Sequence, residues 1–227
     1  MANEDSNFYQ GHRARLRQRF LDGQIAEYEK LELLLGYAIP RRDVRPLARA
    51  LINKYGSLGQ LLTMPYEELI QFPGVGHNVA VFLKSIHSVI MDGCKTVIGT
   101  EPIFHNDEML ANYCKWTLAN KIVEEFHILY FDSEYRLIKD ELHSVGTYDS
   151  SGVYAREIVK RALALNSTIL VFVHNHPTTN QGFSTQDMET TKNLQRILSG
   201  LGIKLYDHIV VTKYSVFSAR NSNWFHF

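Results

Sequence analysis

The chain has 227 residues, of which 45% are hydrophobic and 21% charged, and its formal net charge at pH 7 is zero. This composition is typical of a globular protein with one large or two small domains, and it lacks the overall basicity that would point to nucleic acid. The two cysteines, Cys94 and Cys114, form no CxxC pair, which favours a reducing compartment. The polar first residues and the lack of an apolar run of ~18 residues predict a cytoplasmic protein that does not enter a membrane.

Residues 1–100 are predicted to form an all-helical domain. Helical patterns cover Ile25–Tyr37 and Val44–Tyr55. A short helix, the turn Gly74-Val75-Gly76 and a helix that continues to about Met91 follow. The last three elements together resemble a helix-hairpin-helix motif.

Two features of this first domain could contact DNA. In a helix-hairpin-helix motif the glycines allow a tight turn, whose backbone amides and following helix N-terminus can hold a phosphate. The segment that follows Gly11 is strongly basic and suits an anionic partner. Both have a plainer interpretation, since the turn can simply pack two helices and the arginines can form a solvated helix face. The candidate phosphate contacts are Gly74, Gly76, Arg13, Arg15 and Arg17, with Arg19 in the same basic segment.

The composition changes after Cys94, and residues 95–102 are predicted to be a linker because they show no helical period. Residues 101–227 form the second predicted domain, in which strands alternate with helices. The predicted strands are Glu125–Phe131, Arg136–Val145, Thr168–Val173 and Lys204–Thr212, and the predicted helices are Asn106–Ala119, Ser151–Leu165 and one that opens at Ser184. This alternation predicts an α/β or α+β fold. Residues 223–227 either cover the core or form a docking tail.

The run from Val171 to Pro177 carries His174 and His176 at the end of an apolar strand. The two imidazoles share one face, because side chains at i and i+2 of a strand point the same way. Ser184-x-x-Asp187 then has the spacing of a capping box at the start of a helix, from which a carboxylate can swing back toward the imidazoles. Either half alone could be a loop detail or a cap. The joint spacing His-x-His-x7-Ser-x2-Asp predicts a zinc site with an open position, as catalytic zinc sites have.

That joint pattern resembles the JAMM/MPN+ metallopeptidase signature, and the surrounding motifs resemble the RadC family over nearly the whole chain. The motifs are Gly11-His12-Arg13-x-Arg15-Leu16, Gly74-Val75-Gly76, Glu124-x-Phe126-x5-Asp132, Gly146-Thr147, Val153-x-x-Arg156-Glu157, His174-Asn175-His176-Pro177 and Asp207-His208. The resemblance implies a JAMM/cytidine-deaminase-like three-layer domain after a small all-helical helix-hairpin-helix domain. The chain departs from the RadC pattern at Ala155 and at Thr178-Thr179, which bears on loop shape and substrate fit more than on the metal.

Carried over residue by residue, the resemblance assigns roles to five side chains: His174, His176 and Asp187 as ligands of Zn²⁺, Glu124 as the general base, and Ser184 as a hydrogen-bond donor to the oxyanion. Some JAMM proteins have the acid directly before the phenylalanine of the strand, which here is Glu125. Adjacent strand residues face opposite sides, so only one of the two glutamates can serve, and we favour Glu124. His208 either supports a ligand histidine or is a buried histidine satisfied by its own strand.

The function implied by the resemblance is zinc-dependent hydrolysis of an amide or isopeptide bond in a protein or peptide whose identity the sequence does not disclose. The alternative is a DNA-associated binding protein of the DNA repair and recombination class, with a structural or non-catalytic metal. A nuclease would use the same metal-activated water, but the sequence lacks the cluster of carboxylates expected of a two-metal phosphodiester site. The oligomeric state is left open.

Overall fold

The structure is a computed structural model that describes residues 2–100, 102, 107–146 and 152–222, with the backbone alone for residues 2–10 and 152–154. Thr147 of the Gly146-Thr147 motif and the C-terminal residues 223–227 lie outside the described residues. The chain divides into two compact units, Met1–Val89 and Ile90–Phe227.

The first unit is helical. Its helices are α1 (Ala2–Leu21), α2 (Glu27–Ala38), α3 (Arg45–Tyr55), α4 (Leu58–Thr63), α5 (Tyr66–Ile70) and the start of α6 (His77–Thr100). The predicted helices over 25–37 and 44–55 are confirmed, and Gly56 ends α3 with a φ of 85°, a left-handed conformation that glycine adopts without strain. Helix α4 was not predicted from the sequence; Ser57 caps it by accepting a hydrogen bond from the backbone N–H of Gln60.

The predicted linker over residues 95–102 is wrong for its first part, because Lys95–Thr100 continues α6. The physical reason is packing. Met91, Cys94 and Ile98 follow one another at the spacing of one helix face, and all three pack against a core of the second unit. No helix in the described part of the chain is both long and apolar enough to cross a membrane.

The second unit is built on a five-stranded sheet with the order β2-β1-β3-β4-β5. The strands are β1 (Glu125–Phe131), β2 (Leu137–Val145), β3 (Ile169–His176), β4 (Lys204–Thr212) and β5 (Val216–Ser218). The parallel pair β3 and β4 is joined by a helical crossover, as parallel neighbours require. Strand β3 is central and buried from Ile169 to Asn175, which explains its nearly continuous apolar sequence.

Helices cover both faces of this sheet. The end of α6 and helix α7 (Asp107–Leu118) pack on one face, where Leu110 and Tyr113 meet Phe131 and Val171. Helices α8 (Gly152–Ala164) and α9 (Thr185–Ser199) pack on the other face. The predicted mixed α/β fold with three layers after an all-helical region is therefore confirmed.

Candidate metal centre

The two predicted histidine ligands lie at the end of β3, which extends three residues beyond its predicted end at Val173. Pairing with β4 keeps the chain extended through His176, so both imidazoles project from the same face. Their Nε2 atoms are 3.0 Å apart. His174 is buried and His176 is partly exposed. One ligand atom from each histidine and one from Glu124 all lie within 4.8 Å of one another.

Asp187 reaches the same point from the first turn of α9. Its Oδ1 is 3.4 Å from His174 Nε2, and its Oδ2 is 3.5 Å from His176 Nε2. The predicted capping box is present, since Ser184 Oγ accepts a hydrogen bond from the Asp187 backbone N–H while the Asp187 carboxylate accepts one from the Ser184 backbone N–H. The cap thus fixes the direction of the Asp187 carboxylate toward the imidazoles.

The hydroxyl proton of Ser184 already forms a hydrogen bond, because Oγ donates to Asp187 Oδ2 at 2.7 Å. To donate to a substrate oxygen, as its predicted role requires, this hydroxyl has to rotate away from Asp187.

Hydrogen bonds at the far side of each imidazole determine which nitrogen carries the proton. His176 Nδ1 lies 3.1 Å from the carbonyl oxygen of Gln181, which can only accept, so Nδ1 holds the proton and Nε2 keeps its lone pair. His174 Nδ1 lies 2.8 Å from His208 Nε2, and its proton position depends on the histidine beyond it.

A chain of hydrogen bonds that runs through His208 and Thr191 determines which nitrogen of His174 carries the proton. The Thr191 hydroxyl donates to the carbonyl oxygen of Asp187 at 2.5 Å, so it must accept from His208 Nδ1 at 2.6 Å. His208 therefore accepts from His174 Nδ1 at its other nitrogen, which leaves His174 Nε2 as a free lone pair. Burial lowers the pKa of His208 well below its usual value, which keeps this relay neutral. His208 thus supports His174, the first of the two interpretations open from the sequence.

Two imidazole lone pairs and one carboxylate face one another. Because all three are electron-rich, a cation between them would stabilise the arrangement. Burial raises the pKa of a carboxyl, but contacts with His174 and His176 outweigh it and hold the pKa of Asp187 far below its usual range. Without a metal, a proton on His176 can take the place of the cation. Contact with Asp187 raises the pKa of His176, although burial acts in the opposite direction. Ligand atoms around a tetrahedral zinc ion are about 3.3 Å apart, given bonds of about 2.0–2.1 Å. The separations of 3.0, 3.4 and 3.5 Å fit such an ion.

The side chains of Glu124 and Glu125 lie on opposite faces of the sheet. Phe126 is the cross-strand partner of His174, and their rings stack with centroids 6.2 Å apart, so both lie on the metal-site face. Glu124 is two residues from Phe126 and shares that face, whereas Glu125 projects to the other side and contacts His127 at 3.2 Å. Of the two glutamates, Glu124 is the one beside the imidazoles. Its role as a base stays a prediction.

Glu125 belongs to a polar cluster on the opposite face of the sheet. His127 lies between Glu125 and Asp140, 3.2 Å and 3.0 Å from their carboxylate oxygens, and Tyr113 also donates to Asp140. Burial lowers the pKa of His127, but the two carboxylates outweigh it and raise the pKa above its usual value. Burial likewise opposes ionisation of Asp140, whose pKa is nevertheless lowered by His127 and Tyr113.

These shifts predict the pH dependence of stability. The folded pKa of His127 exceeds its unfolded value of about 6.5, so its ion pairs stabilise fully below that value and less as pH rises through the raised pKa. The lowered pKa of Asp140 gives a contribution present above about pH 4 that is lost as pH falls through the folded value. The difference in unfolding free energy between the wild type and His127→Gln should be largest at about pH 5–6.

Chemical denaturation of both proteins from pH 4 to pH 9 measures that difference. It should shrink steadily on the alkaline side, and a difference that stays constant across the range would contradict the ion pairing of His127.

A cavity of about 310 Å³ opens beside the candidate metal centre. It is lined by Glu124, His176, Ser184 and Asp187 and by the loop between β3 and α9, including Thr178 and Thr179. The two threonines, which depart from the RadC pattern, therefore line the cavity beside the candidate metal centre.

The candidate DNA-contact residues all belong to the first unit. Gly74 has a φ of 90° and makes the tight turn, and the carbonyl of Gly76 accepts the first hydrogen bonds of α6. The basic segment is helical, and because residues two apart on a helix do not face each other, the arginines of α1 do not form one row. Arg13 donates to the carbonyl of Arg42, and Arg19 pairs with Glu29. Contact of Arg13, Arg15, Arg17, Gly74 and Gly76 with DNA phosphates stays a prediction.

A three-layer α/β domain with a His-x-His strand end and a capping aspartate defines the class of JAB-type domains. Residues 104–224 match the family model described as RadC-like JAB domain. Over 210 residues the chain is 37% identical to the UPF0758 protein SPO0054 of Ruegeria pomeroyi, a match that covers 91% of this chain and 94% of that protein. The chain therefore belongs to the RadC family, as its motifs indicated.

Proposed function

We propose that the chain is a zinc-dependent hydrolase of the JAMM type, which cleaves an amide or isopeptide bond in a protein or peptide. The observation that carries the proposal is the convergence of Glu124, His174 and His176, whose ligand atoms lie within 4.8 Å of one another, together with Asp187 at 3.4 and 3.5 Å from the two imidazoles.

Zinc bound by His174, His176 and Asp187 would supply Lewis acidity, which brings the pKa of a coordinated water toward neutrality and polarises a carbonyl. In this proposal Glu124 accepts the proton of the attacking water and passes it to the leaving amine. Ser184, after rotation, donates a hydrogen bond to the oxygen on which negative charge develops. The hydrogen bonds that His176 donates to the Gln181 carbonyl and His174 donates to His208 keep both imidazoles in the tautomer that binds a cation.

With Glu124 as the base, three protein ligands remain beside an open cavity, which favours catalysis over a structural role, since structural zinc sites are closed by four protein ligands. A two-metal nuclease is not supported, because within the described residues the clustered histidines, cysteines and carboxylates that could hold a metal form one group, Glu124, His174 and His176. A DNA-associated role would act through the first unit, and a salt-dependent affinity for DNA that requires Arg13, Arg15 and Arg17 is the measurement that distinguishes it.

Metal removal and restoration test the proposal. Protein stripped with a chelator should rebind one zinc per chain in calorimetry, and zinc at about 100 times its Kd should raise the unfolding free energy by about 2.7 kcal/mol. Hydrolysis of members of a peptide and isopeptide library should be lost on stripping and restored by zinc. Magnesium serves as the control ion and should restore nothing. Absence of zinc binding, or full hydrolysis by the stripped protein, would refute the proposal.

A further inference from the structure

Asn175 lies between the two predicted histidine ligands, and its side chain contacts the backbone on both sides of Glu124. Its Oδ1 accepts a hydrogen bond from the backbone N–H of Glu125 at 2.8 Å, and its Nδ2 donates to the backbone carbonyl of Val123 at 3.1 Å. The residue is only 1% exposed, and its bond with the N–H of Glu125 is buried, where a hydrogen bond is stronger than in water.

These two bonds continue the pairing of β1 with β3 where the backbone ladder stops. The last backbone partners in that ladder are Phe126 and His174, so the peptide groups around Glu124 have no partner strand on that side. The side-chain amide of Asn175 takes the place of the missing peptide group, with one acceptor and one donor. A further bond from the N–H of Gly146 to the carbonyl of Glu124 fixes the other edge.

We propose that Asn175 is a positioning residue that holds Glu124 beside the two imidazoles by binding both of its flanking peptide groups. The inference rests on the proposed function in so far as Glu124 is the base. The glutamate stands just before the first residue of β1, where a strand end frays unless it is tied down. Because Asn175 stands between His174 and His176, the same strand end sets the distance between the base and the ligands.

The chemistry of the site requires asparagine. The side chain must present one acceptor to an N–H and one donor to a carbonyl, and only one orientation of the amide satisfies both. Aspartate has the same shape but offers an acceptor to the Val123 carbonyl, which repels it. Alanine removes both bonds. The two variants therefore disturb the backbone around Glu124 without changing any of the side chains that face the metal.

Crystal structures of the stripped protein test the placement directly. In Asn175→Ala and Asn175→Asp the Glu124 carboxylate should leave the 4.8 Å cluster that it forms with His174 and His176. Ser167→Ala is the matched control, because Ser167 is also buried and also bonds the β1 backbone, at the far end of the strand through Phe131. Glu124 should stay in place there. An unmoved Glu124 in both Asn175 variants would overturn the inference, whether or not the protein binds zinc.

A double-mutant cycle on zinc affinity gives a second readout. Asn175→Ala and Glu124→Gln should each weaken zinc binding about tenfold, the lower end of the range for losing a group around a metal site. Added to Glu124→Gln, Asn175→Ala should weaken it less than about twofold further, because the two changes act on the same group. An equal tenfold loss in both backgrounds would show that Asn175 acts on the histidines and not on Glu124. Failure of the wild type to bind zinc would instead refute the proposed function.

Discussion

Replacement of His174 by alanine is expected to weaken zinc binding by more than about 100-fold, because loss of a direct ligand exceeds the 10–100-fold cost of losing an outer partner. His176→Ala and Asp187→Ala should behave alike, since the three side chains meet at separations of 3.0–3.5 Å. Competition with a chromogenic chelator measures the affinity. Zinc should also no longer raise the melting temperature of these variants.

The control for this series is His127→Gln, because His127 lies on the opposite face of the sheet, between Glu125 and Asp140, and is outside the cluster of Glu124, His174 and His176. Its zinc affinity should equal that of the wild type. Zinc bound at full strength by either of the single variants His174→Ala and His176→Ala would contradict the ligand assignment.

Glu124→Gln is expected to lower the hydrolysis rate by about 10²–10⁴-fold, the contribution of a positioned general base. The variant should keep one zinc per chain with affinity reduced about tenfold, because it removes a nearby negative charge but no predicted ligand. The rate is measured on a substrate chosen from the peptide and isopeptide library. A stable complex between this variant and its substrate would also identify what the enzyme cleaves.

Glu125→Gln is the matched control for that experiment. The residue is also a glutamate and is adjacent in sequence, but its side chain faces His127 on the opposite side of the sheet. Its hydrolysis rate should stay within about threefold of the wild type, as for residues that do not touch the reacting groups. A large loss in Glu125→Gln with none in Glu124→Gln would reverse the assignment of the base.

Most of the fold was predictable because its main strands have a distinctive local pattern. The apolar run before His174 and the run from Lys204 to Thr212 identify central strands without further information. The end of α6 was not predictable in the same way, because its Thr, Ile and Gly residues have weak helix propensity and its apolar positions are helical only through packing on the sheet. The short strand β5 exists through pairing with β4, which is not visible locally.

In the candidate site, too, the residues that follow a local pattern could be predicted, and those that depend on distant contacts could not. The His-x-His and Ser-x-x-Asp spacings follow from the geometry of a strand end and a helix cap, so both could be read from the sequence. The choice between Glu124 and Glu125 depends on the register of β1 against β3. Thr191 could have been suspected, since it stands one helical turn after Asp187. The partners of Asn175 are about fifty positions away, and nothing near it in the sequence reveals them.

The hydrogen bonds from Asp187 through Thr191 and His208 to His174 connect two predicted ligands through the protein itself. These bonds are expected to hold the predicted ligands in place before an ion binds, which lowers the ordering entropy that binding costs. We therefore expect the protein to keep its fold without metal, unlike zinc fingers, which unfold when their metal is removed. If the proposed function holds, chelation is expected to abolish hydrolysis reversibly while the circular dichroism spectrum stays that of a folded protein.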